Sequence, residues 1–291
     1  MKPCFILNPN SGHNRRNLPA MRALLRRCAP EGSLFLETER QGHAVELAHQ
    51  AVAAGHARIV AVGGDGTLNE VASALVGTGA ELGLVPCGSG NGLALHLGIP
   101  VKPEQAALLA ASAAARIQVM DTGLAAGHPF FNAAGLGLDA DISAAFNRLS
   151  KRGFPAYVRT TIRTWLRHRP VRCTIATEDG RRLSTEALLV CVANSDQYGN
   201  NALIAPGARV DDGLLDLTVI GRMSIPRLVW LARRLFNGTL PRSAAVRTLR
   251  ARGFTIERES PGLLHTDGEH HEAGTRVEIS VRPASLRIVT P

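Results

Sequence analysis

The stretch Arg58–Glu70 reads RIVAVGGDGTLNE. Ile59–Val62 is an apolar run of the length and type of a buried strand. It ends in Gly63, Gly64, Asp65, Gly66 and Thr67, and a helical pattern follows at Leu68, Val71, Ala72 and Leu75. A strand that runs through glycines into a helix N-terminus builds a phosphate cradle: backbone N–H groups point outward without a Cβ in the way, and the helix dipole favours negative charge. The spacing is neither GxGxxG nor GxxxxGK[ST], so neither the dinucleotide fingerprint nor the P-loop applies. The added element is Asp65, an acid inside an anion site. Phosphate repels it unless a metal ion bridges the two or the acid takes a proton from a hydroxyl. Alone, the segment also reads as a Gly-rich βα turn with an N-capping Asp.

Outward from this stretch the chain falls into two halves. From 1 to 122, strands (4–7, 33–37, 58–62, 82–85) alternate with helices (18–28, 44–54, 68–76, 92–97, 103–115), the rhythm of a parallel sheet covered on both faces. From 123 to 282, strand-like runs with turns dominate (171–177, 187–193, 214–220, 254–257, 263–266, 276–281), interrupted by helical stretches near 141–168 and 224–236. That pattern predicts an antiparallel β-rich second domain, with a ligand cleft where the two halves join.

Composition narrows the partners. In 291 residues, 45% are hydrophobic and 20% charged, as in a globular protein rather than a disordered one. No apolar run approaches the ~20 residues that span a bilayer, and the start MKPCFILNPNSG is too short for a signal peptide. Cys4, Cys28, Cys87, Cys173 and Cys191 are scattered without CxxC spacing, which predicts reduced thiols in a cytoplasmic protein and no zinc. The net charge of +9 suits an anionic partner, whereas 4% aromatics is poor for base stacking and argues against nucleic acid.

Further loops fall at the same sheet edge. Asn8-Pro9-Asn10-Ser11-Gly12 follows the first strand, Thr38 the second, and Pro86-Cys87-Gly88-Ser89-Gly90-Asn91 the fourth. Ligands of open α/β sheets sit at the carboxyl ends of strands. Asn8 and Ser11 offer hydrogen bonds to phosphate or ribose, and the second glycine-rich loop is in register with GGDGT. Each also reads as ordinary turn or N-cap chemistry by itself. Together they make a nucleoside triphosphate the natural ligand.

NPNSG, TERQGHAVELA, GGDGTLNEV and PCGSGNGLALHLGIP, in this order, resemble the diacylglycerol kinase catalytic-domain family, which includes bacterial lipid kinases and sphingosine and ceramide kinases. FNAAGLGLDADI, NSDQYGNNALIAPGARVDDGLLDL and HTDGEHHE are similar to its later motifs, so the likeness covers nearly the whole chain. It implies an α/β plus all-β fold: a Rossmann-like N-terminal domain of NAD kinase and phosphofructokinase type (1–122, with a returning segment 283–291) that binds nucleotide, and a C-terminal antiparallel β-sandwich (123–282) for the lipid acceptor. It implies transfer of the γ-phosphate of ATP to a lipid hydroxyl with Mg²⁺. Asn8, Thr38, Gly64 to Asn69 and Ser89 would contact ATP, and Ser11, Gly63, Gly88 and Asn91 lie in the same loops. Ser89 stands where many bacterial members carry Thr in a GTxND pattern, which keeps the hydroxyl but weakens inference about lipid class.

By the same resemblance Glu269 is the proton acceptor for the lipid hydroxyl. Asp65 is the competing base or orients Mg²⁺, and Asp267 positions Glu269 or completes a water-mediated metal shell. Thr266-Asp267-Gly268-Glu269 also reads as a hairpin turn. His270 and His271, adjacent on a strand, face opposite ways and are expected at the surface rather than on one ion. Asp211-Asp212-Gly213-Leu214 resembles a structural Mg²⁺ segment, with the Asp212 side chain and the carbonyls of Arg209 and Leu214 as ligands; it reads equally as a DDG turn.

Two stretches are basic and amphipathic. In 154–168, Val158, Ile162, Trp165 and Leu166 share a side, and Arg159, Arg163 and Arg167 recur on another; 222–234 carries Ile225, Leu228, Trp230 and Leu231. Either could lie on an anionic membrane or pack its apolar face on the core. The expected partners are thus a membrane lipid and an anionic membrane surface, from a cytoplasmic location at the inner membrane face, with a homodimer as the default assembly. Two alternatives stay open: a soluble-substrate kinase of NAD kinase type, and a non-catalytic nucleotide or lipid sensor.

Overall fold

The computed structural model describes residues 2–12, 14–138, 140–141, 163–164, 170–223 and 225–291. It divides into two compact units, Met1–Thr122 with Pro283–Pro291, and Gly123–Arg282.

The first unit is a parallel sheet wrapped by helices. β1 (Cys4–Leu7), β2 (Leu34–Glu37), β3 (Arg58–Gly63) and β4 (Glu81–Pro86) are ordered β2-β1-β3-β4, every pair parallel. β1 and β3 are buried at every residue, which is why they read as unbroken apolar runs rather than alternating ones. The connections are α1 (Leu18–Cys28), α2 (His43–Ala53), α3 (Asp65–Leu75), α4 (Gly92–His96) and α5 (Pro103–Ala111). Asn17 caps α1 by accepting the Ala20 N–H at 3.3 Å, and Met21 and Leu25, one turn apart, bury against Phe5, Val60 and Val85. The end of the chain adds the fifth parallel neighbour, Arg287 and Ile288 pairing with Glu81 and Leu82 of β4. This return is tied down by the Asp121 carboxylate, which accepts the Ala284 N–H at 2.7 Å.

Two helix boundaries differ from the sequence reading, for physical reasons. α3 begins at Asp65, three residues before its first apolar position. α5 stops at Ala111 rather than 115. Arg58, 2% exposed, reaches from β3 to the end of α5, where its Nη1 donates to the carbonyls of Ala110 (3.0 Å) and Ser112 (2.6 Å) and the rest of the guanidinium pairs with Glu81 at 2.9 Å. The last helical carbonyls are taken by a cation, and Ser112 turns extended.

The second unit is an antiparallel β-sandwich. β5 (Arg116–Ala125) enters it and pairs with β6 (His128–Phe130). β7 (Ala133–Gly137), β8 (Val171–Thr177), β9 (Arg182–Ala193) and β10 (Leu215–Gly221) follow, then α6 (Ile225–Phe236), β11 (Val246–Ala251), β12 (Gly253–Arg258), β13 (Gly262–Thr266), β14 (Glu269–Ala273) and β15 (Arg276–Thr290). The order β14-β13-β7-β9-β8-β12-β15 is continued from β9 through β10 to β11. Alternation sets the faces: in β8, Cys173, Ile175 and Thr177 are buried and their neighbours are not. Leu136, Ile175, Val190, Leu217, Phe254, Ile256 and Leu264 fill the core. β5, β6, β7, β11 and β14 are strands the sequence reading lacked. The expected helix near 141–168, including the amphipathic stretch 154–168, lies outside the described residues apart from Asp141, Arg163 and Thr164. No helix among the described residues is long and apolar enough to cross a membrane.

Truncating Arg58 leaves two buried carbonyls without their donor and Glu81 with the longer contact to Arg287 at 3.7 Å. Arg58→Ala is expected to cost about 3–5 kcal/mol of stability, read as a lowered midpoint in denaturant unfolding.

Candidate functional site

The carboxyl ends of β1, β3 and β4 bring three of the loops together within the first unit. Gly63 and Gly64 meet Cys87 and Gly88 directly. The Cys87 N–H donates to the Gly63 carbonyl at 2.7 Å. A Cβ on Gly88 would stand 2.8 Å from the Gly64 Cα, and one on Gly63 would collide with Thr67. The two loops thus pass backbone against backbone, which only glycine allows. The β1 loop joins through Asn8, whose Nδ2 donates to the Thr67 hydroxyl at 2.9 Å and whose own N–H reaches the Val62 carbonyl at 3.0 Å. Ser11 lies beside Gly64.

Asp65 explains how the cradle is held. One carboxylate oxygen accepts the Asn91 N–H at 3.0 Å and the other the Gly92 N–H at 3.1 Å. The first residue of α3 therefore caps the start of α4. Asn91, left-handed at φ 51, does not cap α4; its side chain turns back to accept the Gly88 N–H and donate to the Gly88 carbonyl, both at 3.0 Å. The N-terminus of α3 has no side-chain cap. Its first-turn N–H groups, beside the exposed Gly66, form the anion-seeking end of an eleven-residue helix.

The remaining nucleotide-loop residues are placed as follows. Ser89 is exposed at the loop tip. Thr38 is buried at the end of β2, its N–H on the Leu7 carbonyl at 2.9 Å. Asn69 is one turn into α3, 8% exposed, accepting the Ser73 hydroxyl at 3.4 Å. Burial pushes the Cys87 thiol up to about 12, so it stays protonated and unreactive at neutral pH. Two residues absent from the sequence reading support the cradle. Asn14 donates to the Asn8 carbonyl at 2.8 Å, and the Glu70 carboxylate takes the N–H groups of Gly42 (2.9 Å) and Ala44 (3.1 Å), binding α3 to the start of α2. Glu70 had a local signal: α2 begins after a glycine that cannot cap it.

In the second unit, β13 and β14 form a two-residue hairpin. Thr266 opposes Glu269 across it, and the connecting Asp267 and Gly268 have φ of 49 and 89, the left-handed pair that matches strand twist. The Asp267 carboxylate accepts three backbone N–H groups, from Phe131 and Asn132 at 2.8 Å and Ala133 at 3.0 Å, and its own N–H donates to the Ala133 carbonyl at 2.9 Å. Both oxygens are engaged by main chain, which fits a positioning role. Arg258 secures the open end, donating to the carbonyls of Gly262, Leu263, Ala273 and Gly274. Glu269 and His271, two apart on β14, share a face of this tightly held ribbon.

The histidines depart from expectation in part. His270 is exposed, but His271 is half-buried, its ring stacked on His128 at 3.7 Å and its Nε2 bonded to the Thr266 hydroxyl at 2.8 Å. Burial first, then the neighbouring His128, His270 and His265, holds its pKa down to about 4.

The residues around Asp212 do not fit the structural Mg²⁺ that the resemblance implied. One Asp212 oxygen accepts the Leu214 N–H at 3.1 Å, and the other pairs with Arg250, whose guanidinium also holds Asp216 at 3.0 Å. A guanidinium already neutralises the carboxylate that would bind the ion. Arg209 is paired with Asp211 at 3.1 Å. No cluster of three His, Cys, Asp or Glu residues able to hold a metal occurs among the described residues.

The His271 shift has a pH consequence. Between about 6.5 and about 4 the unfolded chain binds a proton there that the folded chain refuses, so this contribution is full above 6.5 and lost as pH falls through 4. His271→Phe is expected to flatten that part of the stability–pH curve in denaturant titrations, leaving the neutral-pH value little changed.

Comparison with known proteins agrees with this geometry. Residues 2–124 match the diacylglycerol kinase catalytic domain, and residues 132–290 match the YegS C-terminal NAD kinase beta sandwich-like domain. A probable lipid kinase YegS-like protein of Pseudomonas aeruginosa is 33% identical over 258 residues, covering 87% of this chain and 83% of that one. A diacylglycerol kinase of Mycobacterium tuberculosis is 30% identical over 302 residues, covering 100% and 95%. Among solved structures, a putative diacylglycerol kinase from Bacillus anthracis superposes with TM-score 0.80 at 24% identity, covering 100% and 97%. An NAD kinase from Archaeoglobus fulgidus in complex with ATP gives 0.53 at 13%, covering 99% and 93%; both show the fold. With the α/β cradle, the sandwich and these matches together, the chain belongs to the diacylglycerol kinase catalytic-domain family and is a lipid kinase.

Proposed function

We propose that this kinase binds MgATP on the loops after β1, β3 and β4 and transfers the γ-phosphate to the hydroxyl of a membrane lipid of diacylglycerol, sphingoid or related type. The observation that carries the reading is the first turn of N–H groups of α3, entered through Gly64 and set at two glycine loops in backbone contact. A triphosphate satisfies those N–H groups and the helix dipole together. Phosphoryl transfer asks the protein for positioning and charge stabilisation more than covalent chemistry. The rigid cradle supplies the positioning, and Ser11, Ser89 and Thr67 add hydroxyls around it.

The attacking lipid hydroxyl is a weak acid and needs a base within hydrogen-bond reach. Glu269 takes that role. Its backbone follows a turn fixed on both sides, by the Asp267 carboxylate on the Phe131–Ala133 main chain and by the ribbon above it. Asp65, its oxygens on the Asn91 and Gly92 amides, is a positioning residue that orders the cradle. The ion that travels with ATP belongs to the substrate.

Glu269→Gln keeps the size and removes the base. It is expected to lower kcat at least about 100-fold, with KM for ATP and the unfolding midpoint nearly unchanged. The assay follows radiolabelled γ-phosphate into a lipid extract, with NAD as the competing acceptor. Wild-type turnover in the variant, or label entering NAD alone, would overturn the proposal.

A further inference from the structure

An exposed flank of α6 presents aromatic and cationic groups. Leu231 faces inward, 4% exposed, into a cluster with Ile204, Ala208 and Leu240, so the helix is pinned and the flank beside Leu231 that carries Trp230 is held outward. On that side Trp230 is 51% exposed. Arg227, Arg233 and Arg234 lie three before, three after and four after it, the spacings that put helical side chains beside one another. Arg227 and Arg233 are exposed, and Arg234 lies over the indole at 3.7 Å. Phe236 is 46% exposed at the end of the same helix. Exposed Arg222 and Arg242 flank it, and the helix contains no acidic residue.

We propose that this face of α6 is the surface by which the kinase rests on an anionic phospholipid bilayer. The inference rests on the lipid-kinase reading, because an enzyme whose acceptor lies in a membrane must dwell at its surface. Charge selects the occupant. An indole ringed by three guanidiniums repels a second copy of itself, and it matches lipid headgroups that carry negative charge. Trp is suited to the headgroup level, its ring apolar and its N–H polar. The arginine stems extend along apolar surface while their charged ends stay at the phosphates. The buried Leu231 side keeps α6 on the sandwich while the Trp230 flank meets the lipid.

The chain has two tryptophans, so a Trp165→Phe background isolates Trp230. Vesicles of phosphatidylglycerol with phosphatidylcholine are expected to shift Trp230 emission to the blue and to sediment the protein, whereas pure phosphatidylcholine vesicles do neither. Arg227→Glu with Arg233→Glu is expected to weaken sedimentation with the anionic vesicles at least about tenfold. The same variant should retain wild-type phosphorylation of a dispersed short-chain lipid and lose it on vesicles. Unshifted Trp230 emission, or a charge-reversed variant that sediments as wild type does, would overturn the proposal. So would self-association through Trp230 without any vesicle effect. Vesicle binding is read without phosphate transfer, so a failed kinase assay with intact binding would refute the catalytic reading and leave this one.

Discussion

The two hydrogen bonds that the Asn91 and Gly92 amides donate to the Asp65 carboxylate are the constraint on which the nucleotide end of the molecule depends. An acid at the start of α3 could have capped its own helix. Instead it spans to α4 and closes the glycine loops against each other, with the Gly64 and Gly88 backbones in contact. The consequence is electrostatic as well as geometric. The negative charge faces the N-terminus of α4, and that of α3 has no side-chain cap from Gly64. That is how an acid and a phosphate can belong to the same site: the carboxylate faces the loop behind the cradle and builds the surface the phosphate meets.

The sandwich unit repeats the device with the second Asp-Gly pair. Asp267 sits at the left-handed corner of a hairpin and gathers three main-chain amides of Phe131–Ala133. Charge-assisted bonds to backbone are short and directional, so a few of them fix a turn that apolar packing alone would leave loose. In both units an aspartate that reads as a catalytic acid is tied to the main chain. In the proposed reaction the groups that do chemistry are its neighbours, the first-turn N–H groups of α3 in one case and Glu269 in the other. Arg58 and Arg250 play the matching cationic part, closing α5 in the first unit and pairing Asp212 with Asp216 in the second.

Much of the parallel sheet was legible because buried strands are continuous apolar runs; β1 and α1 fall where the apolar run and the helical period put them. β7 escaped notice because Ala133–Gly137 is alanine and glycine around a single leucine, too little strand character to stand out, buried between β9 and β13. β14, EHHEA, is polar and owes its existence to the hairpin turn rather than to its own sequence. The loops of the site were visible as glycine-rich strand ends. What holds them was not: Asp65 reaches a partner 26 residues on, and Asp267 one more than 130 away. A carboxylate bonded to a distant backbone leaves no local pattern. The pairing of Arg250 with Asp212, 38 residues apart, is hidden for the same reason.

The role of Asp65 is tested most directly by calorimetric binding of ATP to wild type and Asp65→Ala, each with and without Mg²⁺. If the carboxylate holds the loops, the variant loses about 10- to 100-fold in affinity, the worth of one or two hydrogen bonds to a charged group, and loses it equally in the presence and absence of the ion. Affinity that is unchanged, or that falls only when Mg²⁺ is present, would contradict the account and assign Asp65 to the metal instead.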